Sequence, residues 1–173
     1  QGLYEKAALR AREIRTANSP EWNTLRLLIS ARVAIKTLGK IGEDVFTALD
    51  PNQTRDGFLK AELHFARGLY LFHQGEFARG VSEFENAQAL YQKANLTERE
   101  LLSAYNVYSG KVNAKLMLEP LECLAELREL ERIASVAKNK KLLGIILREK
   151  SENLQQLDKT LAAAEAAEQS VRL

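Results

Sequence analysis

The chain has 173 residues, 46% of them hydrophobic and 28% charged, with 9 Gly, 3 Pro and a single cysteine, Cys123. This composition excludes a disordered polymer, a disulfide framework and a four-thiolate zinc site. Its 25 basic and 23 acidic side chains leave a net charge of +2, too even to demand a nucleic-acid or membrane partner, and no run approaches the about 20 apolar residues that span a bilayer.

Richness in Ala, Leu, Glu, Lys and Arg, without alternating β-branched runs, predicts an all-α chain. The first helix is expected from about Leu3 to Ala17, stopping at Asn18-Ser19-Pro20, where Ser19 caps and Pro20 opens the second. That second helix, to about Leu38, carries Trp22, Leu25, Leu28, Ile29, Val33 and Ile35 at helical spacing and meets Gly39. A short helix near Glu43 to Leu49 ends at Asp50-Pro51-Asn52, because the residue before proline is pushed out of the helical region. A fourth runs from about Arg55 to Gln74 and stops at Gly75. A fifth follows from Phe77 to about Ala94, with Asn95 as a left-handed terminator.

Thr97-Glu98-Arg99-Glu100 fits a capping box that starts a sixth helix, running to about Leu116. Pro120 opens a seventh, ending near Asn139. An eighth is expected from Lys140 towards the C-terminus, with Leu147, Leu154, Leu157, Leu161, Ala164 and Val171 near an a/d seam. The breaks near Asn18, Pro51, Asn95 and Asn139 recur at intervals of about 33–44 residues, the signature of stacked helical hairpins, with a compact bundle of eight helices as the alternative. Residues 1–150 read as the repeat domain. Residues 151–173 read as a capping or connector helix, or a homodimer seam. Because the chain begins at Gln1, on a helix without its hairpin partner, it reads as a piece of a longer array.

The segment from Ala66 to Ala87 places Gly68 in one helix, Gly75-Glu76-Phe77 in the turn, and Gly80, Phe84 and Ala87 in the next helix. In this it resembles a tetratricopeptide repeat (TPR), and its neighbours resemble degenerate units of the same family. The resemblance implies a TPR-like α-solenoid of about eight helices that binds a protein or peptide and has no catalytic residues or cofactor. An alternative it also implies is a sensory or regulatory domain of a larger bacterial signalling or transcription-regulator protein.

Family members line their concave face with the first helix of each hairpin. Carried over, those positions are Glu62, Phe65, Leu69, Phe72 and His73. Shifted by one unit they become Arg26, Ile29, Val33, Lys36 and Thr37 upstream, and Ala104, Val107, Lys111, Ala114 and Lys115 downstream. The implied groove is an apolar strip flanked by Arg26, Lys36, Lys111 and Lys115, suited to a partner with apolar anchors and acidic flanks. The bland counterpart is that Phe65, Leu69 and Phe72 are core.

The rest of the chain offers little chemistry. His64 and His73, nine residues apart on one helix, point to opposite sides and share no metal. No phosphate loop or nucleophile elbow occurs, and Cys123 sits among leucines where an inert thiol is the rule, so no enzyme activity is expected. The basic knot Lys138-Asn139-Lys140-Lys141 reads as a solvated loop rather than a nucleic-acid contact. One cysteine also favours a reducing cytoplasm.

Overall fold

A computed structural model describes Arg26, Leu28 and Ile29, and residues 50–172 apart from Leu118. The helices expected at 3–17 and 43–49, the Gly39 stop and Lys36 lie outside the described residues. Of the helix expected at 20–38, only Arg26, Leu28 and Ile29 are described, and they are helical. Among the described residues the chain is all-helical, with no strand. A short 3-10 turn at Pro51–Gln53 precedes six α-helices: α1 Gly57–His73, α2 Phe77–Lys93, α3 Thr97–Asn113, α4 Pro120–Val136, α5 Lys140–Gln156 and α6 Thr160–Arg172.

One turn is repeated at every junction. The helices from α1 to α5 each have 17 residues and end in a residue with positive φ: Gly75, Asn95, Lys115, Lys138 and Asp158. At each, the following amide donates back to the carbonyl five residues earlier, as Glu76 does to Leu71, Leu96 to Tyr91, Leu116 to Lys111, Asn139 to Ala134 and Lys159 to Leu154. This is the Schellman motif, which satisfies carbonyls that a helix end leaves orphaned. Three-residue turns of this kind join every pair except α3 and α4, whose connection runs from Ala114 to Glu119.

Gly75 and Asn95 suit the left-handed conformation, but Lys115, Lys138 and Asp158 carry a Cβ there at a steric cost. Lys138→Gly should therefore raise stability by about 0.5–1 kcal/mol, seen as a higher midpoint in urea with an unchanged slope. An unchanged or lower midpoint would show that the lysine side chain contributes more than the strain costs.

Two sequence expectations need correction. Thr97 is not the cap of α3: Leu96 holds that position, with no side-chain cap bond. The preceding turn explains this, because the Leu96 amide is already committed to Tyr91 while its side chain packs on the Phe84–Tyr91 cluster. The expected eighth helix is also not continuous to the C-terminus. It breaks at residues 157–159, and α6 folds back onto α5, with Ser151 inside α5. Ser151 donates to the Ala163 carbonyl at 2.8 Å and Ser170 to the Gly144 carbonyl at 2.8 Å, fastening the two helices at both ends. Of the expected dimer seam, Leu147 and Leu154 are buried within the chain, whereas Leu161 and Val171 are exposed.

The apolar interior follows the order of the chain. One cluster joins α1, α2 and α3 through residues such as Phe65, Phe84 and Val107. A second joins α3, α4 and α5 through Tyr108, Leu127 and Ile146. A third joins α4, α5 and α6 through Leu124, Leu154 and Ala163. Each helix packs chiefly on its predecessor and successor, and the α3–α4 interface is the thinnest.

Candidate binding cleft

The first hairpin is held by aromatic packing and by two carboxylates, Glu62 buried and Glu83 half-buried. Phe84 is fully buried on α2 and meets Phe65 edge-on at 5.3 Å and Phe72 at 4.9 Å. Gly68 admits that ring, since a Cβ there would sit 2.8 Å from it. Glu62, 3% exposed on α1, accepts from the Tyr91 hydroxyl of α2 at 2.6 Å and pairs with Arg99 of α3 at 3.5 Å. Glu83 of α2 accepts from His64 at 2.7 Å and Arg67 at 2.9 Å, both on α1.

Burial pushes the Glu83 carboxyl up, but the hydrogen bonds and charges of His64 and Arg67 outweigh it and hold the carboxyl below its ordinary value. A carboxyl depressed in the folded state contributes stability that is present above the unfolded pKa, about 4.3, and is lost as pH falls through the folded value. Thermal stability should therefore fall on acidification below about pH 5, and Glu83→Gln should flatten part of that slope. An identical pH profile in the variant would show that this cluster is not responsible.

Further along, the Tyr105 hydroxyl of α3 donates to Glu149 of α5 at 2.6 Å, and Lys150 of α5 pairs with Glu131 of α4 at 2.8 Å. Burial and the Glu149 carboxylate push the Tyr105 phenol up, so it remains a donor. Burial also raises the Cys123 thiol. Among the described residues, no group of three or more His, Cys, Asp or Glu side chains is placed to hold a metal.

The residues expected to line a groove fall in three different settings. Phe65 is buried, Leu69 packs on the same cluster, and Phe72 is half-buried between Phe77, at 5.4 Å, and Phe84. This apolar strip is turned towards α2. His73 and Lys115 are exposed at the ends of α1 and α3, and Lys115 borders an open depression of about 420 Å³ beside the α1–α2 turn. Arg26 is exposed and Ile29 half-buried.

Lys111 falls in the third setting, a narrow cleft of about 150 Å³ between α2 and α4 that α3 floors. Ala104, Val107, Leu130 and Ile133 give it an apolar base. Its rim is formed by Glu85 and Gln88 of α2, Lys111 of α3, and Glu126 and Glu129 of α4. The carry-over thus brings Ala104, Val107 and Lys111 together, while the residues that complete the cleft come from α2 and α4. Its charge is also the reverse of the expected basic flank, with three carboxylates facing one ammonium. The one available signal was the spacing of Glu122, Glu126 and Glu129, which puts all three on a single face of α4.

The cleft is smaller than the about 300 Å³ at which small-molecule pockets begin, and it fits a single side chain. No family model matches the chain, and neither does any curated protein or solved structure. Among the described residues, no helix is long and apolar enough to cross a membrane.

Proposed function

We propose that the chain is a non-catalytic, TPR-like helical-repeat scaffold that holds a protein or peptide segment across α2, α3 and α4. The observation that carries this reading is the apolar-floored cleft over α3, between two helices that belong to successive hairpins. Such a cleft arises when hairpins stack in sequence, because neighbouring second helices splay over the first helix between them. Overlapping clusters that each span three consecutive helices support the stacked reading. The repeated turn supports it too, because four of the five junctions are three-residue turns of one kind, which place successive helices by a similar step.

Recognition then rests on a preformed surface into which a partner inserts one apolar side chain, with flanking contacts along the rim. Phe65 and Phe72 act in this scheme as the packing that fixes α1 on α2, and Val107 and Ala104 form the floor. Selection of a random peptide library on the full chain tests the reading. Enriched peptides should lose binding to Ala104→Leu, which fills the cleft, while the helical circular dichroism of that variant is retained. Enrichment of peptides that bind Ala104→Leu as well as the parent would refute the reading.

A further inference from the structure

We infer that the segment held in this cleft carries basic side chains beside its apolar anchor. The inference rests on the binding role proposed for the cleft and concerns the chemistry of its occupant. The chain as a whole is slightly basic, with a net charge of +2, so an acidic rim is a local segregation of charge rather than a reflection of composition.

The carboxylates around the cleft are not equally available. Glu129 is clamped by two hydrogen bonds from Arg132, which hold its carboxyl below its ordinary value. Glu126 shares its charge with Lys111 across 3.4 Å. Glu85, exposed on the opposite rim, has no ion pair among the described residues, and neither does Glu122, one turn before Glu126. Glu122, Glu126 and Glu129, with Met117 and Ala125, line a shallow depression of about 480 Å³ that continues the cleft along α4. An occupant therefore meets an apolar slot with the unpaired Glu85 on its α2 side, the paired Glu126 and Glu129 on its α4 side, and the unpaired Glu122 one turn further along α4. Lysine or arginine flanks complement that arrangement, whereas acidic flanks and phosphate backbones are repelled by it. The rim is solvent-exposed, so the charges act mainly by steering and by rejecting wrong partners, and salt weakens both effects.

The test uses two synthetic leucine-containing peptides that differ only in carrying lysine or glutamate beside each leucine, followed by fluorescence anisotropy with the full chain. The lysine peptide should bind about tenfold or more tightly than the glutamate peptide at low salt, with the preference shrinking at physiological ionic strength. The double variant Glu85→Lys/Glu122→Lys should abolish or invert the preference, and Ala104→Leu should weaken both peptides. If both peptides bind equally, or the glutamate peptide binds better, and Ala104→Leu still blocks them, the charge inference fails and the cleft remains a binding site. If neither peptide binds, or binding ignores Ala104→Leu, the binding role itself fails and the inference falls with it.

Discussion

Phe84→Ala should cost about 3–5 kcal/mol and lower the thermal midpoint by roughly 10 °C. Phe84 is fully buried and is the ring on which both Phe65 and Phe72 stand edge-on. Truncation therefore removes two aromatic contacts along with the buried area, and it leaves a cavity that Gly68 beside it cannot fill. Gly68 approaches the ring because it has no side chain, so that position offers nothing to fill the gap. Urea titration followed by circular dichroism measures the loss. A change below about 1 kcal/mol would mean that α1 and α2 close over the gap by a rigid shift.

Gly110→Val should also be destabilising, by about 2–3 kcal/mol, although helix propensity alone favours valine over glycine by a few tenths. A Cβ at Gly110 would overlap the Phe72 ring from α1 and the Val81 methyl from α2. Three helices meet at this point, and only a hydrogen on α3 fits between them. Phe77 and Phe84 flank the Phe72 ring and restrict its retreat. Gly57→Ala is the control, because a Cβ there meets nothing within 4 Å. A neutral Gly110→Val would show that α3 slides past the first hairpin without penalty.

Much of the fold was legible because it is local. Gly75 and Asn95 marked their turns, since those residue types tolerate a left-handed backbone, and Pro120 marked the start of α4. Lys115 and Lys138 adopt the same backbone without a residue type that signals it, and Asp158, a type that tolerates it, sits within an unbroken helical pattern. The break at 157–159 was hidden for that reason, and because Leu154, Leu157 and Leu161 keep a helical spacing through the turn. At Thr97 a good capping pattern lost to a tertiary event, the docking of Leu96 on the core.

The site was less legible than the fold. Periodicity identified Phe65, Leu69 and Phe72 as one apolar face but not what covers it, and the answer is α2. The cleft over α3 draws its rim from three helices, with residues about 15–44 positions apart between Glu85 and Glu129. No sequence window brings such residues together. Their common charge was diluted by the near-even total, so an acidic rim and a basic chain coexist.

Clusters that each span three consecutive helices also determine how the chain reaches this state. The bonds that tie one helix to another join residues close in sequence, with Tyr105 and Glu149 among the most distant at 44 positions. Little loop entropy is lost before such contacts form, so folding is quick, and under the proposed stacked-hairpin reading it starts in any one hairpin and spreads by addition of the next helix. The thin α3–α4 interface is the step at which that spread is least rewarded. Amide hydrogen exchange will therefore divide the molecule there, with the segments on either side opening as separate units.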